Sequence, residues 1–186
     1  MTKIDFFNAA LLKLGSQRVL TGEGEKCPEF EVCERAYEQA LKEVYTLYPW
    51  HCCRKMAELN RLYDKNLHLK FKYAYQLPID CLYVAEVIPQ RTEFEICGRI
   101  IYSDEKNLAI SYTANIENIG ELTPHVAELA VTNLAMKILP SLSKGSYNVT
   151  AAMLQDFHTL QFNIAKKTDV AENYSRRQHT SWIDQV

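Results

Sequence analysis

The strongest constraint on the fold is a change of hydrophobic period along the chain, from helical to alternating and back to helical. The first segment places apolar residues at spacings of three and four, at Ile4, Phe7, Leu11 and Leu14. In residues 69–75, apolar and aromatic side chains occupy every second position with lysines between them, as a half-buried strand requires. Helical spacing returns after Thr123. This order predicts an α+β fold in which a β-region interrupts a set of helices.

Two helices are predicted within residues 1–50. Thr2 can cap the first helix, with Asp5 three residues further on, and Gly15 can end it. Pro28 suits the first turn of the second helix, and Pro49 stops it. The apolar stripe of the second helix consists of Phe30, Cys33, Tyr37, Leu41, Val44 and Tyr48.

Two further helices are predicted within residues 123–165. The third begins with Thr123 as N-cap, ends before Pro140, and has the stripe Ala127, Val131, Leu134 and Ile138. The fourth has the stripe Val149, Met153, Phe157, Leu160 and Ile164. Because each stripe needs a partner surface, we expect the four helices to pack together as a four-helix bundle.

The region of residues 56–115, between helices two and three, is predicted to form one small antiparallel β-sheet. Its expected strands are residues 69–75, 81–88, 94–97, 99–102 and 108–113. A turn at residues 103–107 is expected to join the last two strands. Residues 1–165 then form the domain, and residues 166–186, where the apolar stripe fades, form an extended C-terminal tail.

The charges are balanced overall but uneven along the chain. The 21 basic and 23 acidic residues give a net charge of −2, which shows no global bias toward nucleic acid. Residues 23–43 carry seven glutamates against three basic residues, and residues 54–72 carry six basic residues against two acidic ones. Opposite charges on two faces suit head-to-tail self-association, although a monomer with internal salt bridges would show the same sequence. The candidate interface residues are Glu31, Glu34, Glu38, Arg61, Lys65, Lys70 and Lys72.

Cysteine and histidine chemistry supplies two alternatives. The six cysteines are Cys27, Cys33, Cys52, Cys53, Cys81 and Cys97. Their spacing around His51 differs from the C-x2-4-C pairs of zinc sites, and the five histidines fall in separate segments without a catalytic signature. A zinc site and a thiol hydrolase stay open as alternatives. Our prediction is reduced thiols, with no catalytic, metal-binding or cofactor-binding residue.

Two further segments suggest macromolecular partners. The basic segment of residues 54–72 could contact phosphates, with Tyr63, Tyr73 and Tyr75 as stacking rings, so a nucleic-acid-binding module is another alternative. Near the end of the chain, Trp182 and Ile183 follow a polar stretch, and such isolated apolar anchors dock on their own domain or on a partner. No apolar run approaches the roughly 20 residues of a membrane span, so we expect a soluble protein.

Several motifs occur in the order found in one viral family. They are AALLKLG at 9–15, YPW at 48–50, YAYQLPIDCL at 73–82, FEICGRII at 94–101, Leu134-Ala135 and SWID at 181–184. Over nearly its whole length the chain thus resembles the head-to-tail adaptors of tailed bacteriophages, the tail tubular protein A or podophage adaptor group. It departs from that pattern in its many cysteines and in the His51-Cys52-Cys53 sequence after Trp50.

The resemblance implies a structural protein of the virion and no enzymatic activity. It implies a helical bundle with an inserted β-region, assembled as a ring, commonly of twelve copies, beneath the portal protein. The ring extends the channel through which genomic double-stranded DNA passes without sequence specificity, and it offers a platform to tail or nozzle proteins. The C-terminal segment reaches the portal, which makes Tyr174, Arg176, Arg177, Trp182 and Ile183 the docking candidates. The implied location is the head–tail junction, after assembly in the host cytoplasm.

Overall fold

A computed structural model describes residues 1–22, 24–63, 70–142 and 147–178, with side chains for all of these except 147–149 and 173–178. Within these ranges the chain is mixed α+β, as predicted, with four α-helices and two antiparallel sheets. It divides into two compact units. The helical unit comprises Met1–Cys52 and Glu117–Val186, and the β unit comprises Cys53–Ile116.

The four helices are α1 (Lys3–Lys13), α2 (Pro28–Leu47), α3 (Pro124–Leu142) and α4 (Tyr147–Gln178). Helix α3 packs against each of the other three, and it is buried on most of its surface. Two start signals are confirmed, since Thr2 and Asp5 form a capping box and Pro28 lies in the first turn of α2. Two helices end later in the chain than predicted. Helix α3 continues past the exposed Pro140, and α4 continues to Gln178.

Every residue of the predicted apolar stripes of α1, α2 and α3 is buried or half-buried. Phe6, Phe7 and Leu11 are completely inaccessible, and the Phe7 ring meets the ring of Phe30 on α2 edge to face at 5.7 Å between centroids. A polar contact fixes the register of α2 against α3, since the side-chain amide of Asn133 donates to the carbonyl oxygen of Ala40 at 2.9 Å. These three helices therefore share one core.

The β unit has seven strands. They are β1 (Arg54–Glu58), β2 (Asn60–Leu62), β3 (Tyr73–Gln76), β4 (Cys81–Ile88), β5 (Phe94–Cys97), β6 (Ile100–Ser103) and β7 (Ala109–Ala114). One sheet has the order β1-β7-β4 and the other has the order β2-β3-β6-β5, with all pairs antiparallel. The strands predicted at residues 94–97 and 99–102 correspond to β5 and β6, which pair as a hairpin with Gly98 at a φ of 61° in its turn.

The strand predicted at residues 69–75 begins later, since β3 spans Tyr73–Gln76 and residues 70–72 are not in a strand. The prediction of one small sheet is wrong in two further respects. Strands β1 and β2 are not expected from the sequence, because β1 is mostly exposed and lacks the alternation that marks a half-buried strand. The strands on either side of residues 103–107 do not pair, since β6 and β7 belong to different sheets. Strand β7 instead lies between β1 and β4, and five of its six residues are buried.

Asp80 connects three segments of the first sheet. Its carboxylate accepts hydrogen bonds from Lys55 Nζ at 2.8 Å and from the Tyr112 hydroxyl at 3.0 Å. Burial alone would raise the pKa of Asp80, but these two hydrogen bonds outweigh it, so this pKa lies below its usual value. Burial, followed by donation to the Asp80 carboxylate, raises the pKa of Tyr112 to about 12.

Alkaline pH should therefore destabilise the β unit through Tyr112. Between about pH 10 and pH 12 the unfolded chain loses this proton while the folded chain keeps it, so the free energy of unfolding should fall by roughly 2 kcal/mol. Urea unfolding at several pH values measures this fall. Tyr112→Phe, the matched control, should show a flatter pH dependence, and equal slopes for the two proteins would contradict the prediction.

Candidate assembly surfaces

The acidic interface candidates lie on the exposed side of α2. Lys3 Nζ lies 2.7 Å from Glu34, and Lys42 Nζ lies 3.2 Å from Glu38 one turn earlier. Glu31 is also exposed and lies in the first turn, where an acidic residue is favourable to the helix dipole. The predicted acidic face therefore exists, and part of its charge is already paired within the helical unit.

The basic interface candidates belong to the β unit, except that Lys65 lies outside the described residues. The Arg61 guanidinium carbon lies 3.8 Å from the centre of the Tyr73 ring. Lys70 is exposed, with its Nζ 3.4 Å from Glu93. Lys72 is exposed too, and its backbone N–H donates to Asp104 at 2.9 Å. These charges also have neighbours within their own unit.

These intrachain ion pairs still allow both charged faces to contact neighbouring subunits. Exposed ion pairs contribute only about 0 to 1 kcal/mol each, because water and side-chain entropy offset most of the attraction. A neighbouring subunit could therefore replace the intrachain partners of Glu34 or Lys70 at little cost. The subunit-interface assignment of these residues stays a prediction.

The most prominent apolar surface lies on α4, where the sequence predicted a buried side. Met153, Phe157, Leu160 and Ile164, which we call the α4 stripe, are 57%, 52%, 56% and 42% exposed. The side chain of Val149, the fifth predicted member, lies outside the described set. The expectation that this stripe packs against the other helices is wrong for its four described residues.

Helix α4 is held to α3 by a different side. Leu154 and Ala165 are buried, and the hydroxyl of Thr132 on α3 donates to Gln161 Oε1 at 2.6 Å. The buried positions of α4 are centred roughly 110° around the helix from the stripe. Apart from Leu154, the residues named in this contact are small or polar, so hydropathy alone did not identify it as the buried side.

A second anchor joins α4 to the segment after α2. Trp50 is completely buried, and its ring meets Phe162 of α4 edge to face at 5.9 Å between centroids. The buried carboxylate of Asp169 accepts from the His51 backbone N–H at 3.0 Å and lies 2.7 Å from His51 Nδ1. Asp169 thereby anchors α4 at a position within residues 166–178, where the sequence predicted a tail.

The His51–Asp169 pair also bears on the thiol-hydrolase alternative. A carboxylate at Nδ1 is the orienting group that a catalytic histidine needs. Cys52 and Cys53 follow His51 in one turn of 3₁₀ helix, where consecutive side chains diverge by about 120°. Cys53 is buried and Cys52 half-buried, so neither thiol has the exposed position typical of a reactive cysteine.

The cysteines show no sign of disulfide formation or of a common metal site among the residues that the structure describes. None of the six forms a disulfide. Burial, and then the nearby Cys27 and Glu29, raises the pKa of Cys33 to about 12, and burial also raises the pKa of Cys81. Among the described residues, no group of three or more His, Cys, Asp or Glu side chains is placed to hold a metal ion.

The C-terminal docking candidates are only partly visible. The backbone of Tyr174, Arg176 and Arg177 belongs to the last turns of α4, and nothing is described of their side chains. Trp182 and Ile183 lie outside the described residues. No helix in the described ranges is long and apolar enough to cross a bilayer.

Compared with models of known protein families and with curated protein sequences, the chain matches none of them. Function is therefore inferred from the sequence motifs and from the surfaces described above. Of these surfaces, the exposure of the α4 stripe was missed at the sequence level. The stripe's spacing of four, three and four residues is typical of a helix that packs along a narrow seam against one other helix. This spacing was the sequence feature from which a separate partner for α4 could have been predicted.

Proposed function

We propose that this chain is a head-to-tail adaptor of a tailed bacteriophage, a non-enzymatic virion protein that assembles as a ring beneath the portal. The observation that carries the proposal is the order of the elements. The helical unit is interrupted between α2 and α3 by an all-antiparallel β unit. This is the arrangement that the resemblance implies, and the family motifs occur in order along both units.

Surface chemistry supports an assembled state. A ring closes only when each subunit carries two different, mutually complementary faces. The exposed glutamates of α2 and the exposed basic residues Arg54, Lys70 and Lys72 of the β unit offer opposite charges for such faces. The proposed ring has twelve copies, extends the channel for genomic double-stranded DNA, and offers a platform to tail or nozzle proteins at the head–tail junction.

The proposed contact with the portal is the C-terminal segment. Helix α4 continues to Gln178, directly before residues 179–186. Tyr174, Arg176 and Arg177 lie at the end of that element, and Trp182 and Ile183 follow it. A tryptophan beside an isoleucine is the kind of anchor that dominates the binding energy of an interface.

Truncation after Gln178 should weaken binding to the purified portal protein of the same virus by at least about 30-fold, since one anchor residue commonly contributes 2 kcal/mol or more. Trp182→Ala should reproduce most of that loss, and Thr180→Ala is the matched control in the same segment. Affinity is measured by surface plasmon resonance with immobilised portal. Unchanged binding of the truncated chain would refute the docking assignment.

The adaptor proposal as a whole has a separate test. Mixing the full chain with portal should give a complex with the subunit number of the portal ring, measured by native mass spectrometry and seen by negative-stain microscopy. A chain that stays monomeric in the presence of portal would refute the proposed function, whatever the tail variants do.

Nucleic-acid binding is the second candidate, and one observation favours it. Tyr63 is 81% exposed, and the Arg61 guanidinium lies against the rings of both Tyr63 and Tyr73. Arg61, Tyr63 and Lys106 border a cleft of about 710 Å³ in the β unit. Salt-sensitive DNA affinity of the free chain, lost in Arg61→Ala, would favour this candidate over the adaptor.

A further inference from the structure

The α4 stripe has the pattern of a coiled-coil seam. Met153, Phe157, Leu160 and Ile164 follow each other at four, three and four residues, which corresponds to heptad positions d, a, d and a. On an ideal helix they fall within an arc of about 60°. A stripe this narrow is typical of a helix that pairs with one other helix, whereas the buried side of a bundle helix is wider.

Among the side chains that the structure describes, the helical unit has no second surface that matches the stripe. Helices α1 and α2 each present one large exposed apolar side chain, Leu12 and Leu47, and α3 presents none. Among the helix residues whose side chains are described, the only row of four exposed apolar side chains is therefore the stripe itself. A second copy of this chain supplies a surface of the required length and spacing.

We propose that the α4 stripe is a self-association surface on which α4 of a second copy packs antiparallel. In this pairing Phe157 of each copy faces Leu160 of the other, and Met153 faces Ile164. The contact is isologous, so the same four side chains serve both copies. The proposal does not depend on the adaptor function, because a two-fold pair differs from the head-to-tail contact of a ring.

Charge decides the direction of the two helices. Lys167 occupies the next heptad position after Ile164, so a parallel pair in register would place it opposite the second copy's Lys167. In the antiparallel pair Lys167 lies opposite Thr150 instead. The same alignment brings Asp156 of each copy near Asn163 of the other, where the amide can donate to the carboxylate.

The size of the stripe sets the expected strength. Four half-exposed side chains present on the order of 400 Å² of apolar surface, within the range of patches that mark interaction sites. A stable dimer usually buries about 800 Å² per partner. The pair should therefore be reversible, with a dissociation constant on the order of 10 to 100 µM.

Complementary charge substitutions test the pairing. Sedimentation equilibrium of the full chain should show a monomer–dimer equilibrium, and Phe157→Glu and Leu160→Lys should each weaken it at least about tenfold. An equimolar mixture of the two variants should regain dimers. In the antiparallel pair the mixed dimer has two contacts between positions 157 and 160. At one of them the introduced carboxylate lies opposite the introduced ammonium, and at the other Phe157 still faces Leu160. Gln155→Glu, at an exposed position on the side of α4 opposite to the stripe, is the control and should dimerise like the wild type.

Each outcome decides the proposal. Dimers in the wild type, loss in both single variants and recovery in the mixture support it. A wild type that is monomeric at several hundred µM, or dimers that persist in both variants, would overturn it. Loss without recovery in the mixture would overturn the antiparallel arrangement. Circular dichroism of each variant verifies folding, and portal binding, measured separately, tests the adaptor function independently.

Discussion

Replacing Trp50 by Ala should lower the free energy of unfolding of the helical unit by about 4 kcal/mol. The side chain is completely buried, and its indole N–H donates to the carbonyl oxygen of Val44 at 2.8 Å. Truncation leaves a cavity between the end of α2 and Phe162 of α4, and such losses cost about 3 to 5 kcal/mol. Because domains of this size have only about 5 to 15 kcal/mol in total, the variant should be close to unfolding.

Urea unfolding followed by circular dichroism at 222 nm measures the change. Trp50→Phe separates the contribution of packing from that of the hydrogen bond. It keeps an aromatic ring in the core and removes the N–H donor to Val44. Tyr63→Ala, a truncation of an exposed aromatic residue, is the surface control and should stay within about 0.5 kcal/mol of the wild type. A Trp50→Ala variant as stable as this control would contradict the buried position of Trp50.

Alkylation of Cys33 at pH 8 should be at least about a thousandfold slower in the folded chain than in the urea-unfolded chain. Only the thiolate reacts, and a pKa raised from 9.0 to about 12 lowers the thiolate fraction by roughly three orders of magnitude. Burial of the side chain in α2 adds a steric barrier. Iodoacetamide labelling followed by peptide mass spectrometry measures the rate for each cysteine.

The same experiment tests the thiol-hydrolase alternative. Cys97 is exposed and serves as the internal control, with similar rates in the folded and unfolded chain. A catalytic thiol would instead react faster in the folded chain than in the unfolded one, and His51→Ala would slow it. Such behaviour at Cys52 or Cys53 would contradict the proposal that the chain is not an enzyme.

Local signals predicted the helices well. The Thr2–Asp5 capping box and Pro28 mark helix starts because they satisfy or remove backbone donors within one turn, which requires no tertiary partner. The end of α4 was predicted too early. Its last part is held by Asp169, a buried carboxylate bound to His51 more than a hundred residues away, and no apolar stripe marks that contact.

Strand pairing was less predictable than strand position. The four strands β4 to β7 lie within a residue or so of their predicted places. Their partners depend on long-range contacts, so the turn at residues 103–107 connects two sheets, where a hairpin was expected. Strand β1 pairs with β7 although its own residues are mostly exposed, because the backbone of β7 supplies the hydrogen bonds.

The candidate assembly surfaces were likewise predictable only in part. The sequence identified the acidic and basic segments and the candidate residues, because charge is a property of composition. The intrachain neighbours of Glu34, Glu38 and Lys70 became known only from the fold.

By itself the sequence determined an α+β chain, the positions of its four helices and the apolar side of each, because period and caps are local properties. Only the tertiary structure decided which of those sides are covered. Three are buried by neighbouring helices, whereas α4 is held by Leu154, Ala165 and Asp169, and its stripe stays exposed. Hydrophobic spacing shows that a helix side favours burial, and it carries no information on whether the partner is the same chain or another copy.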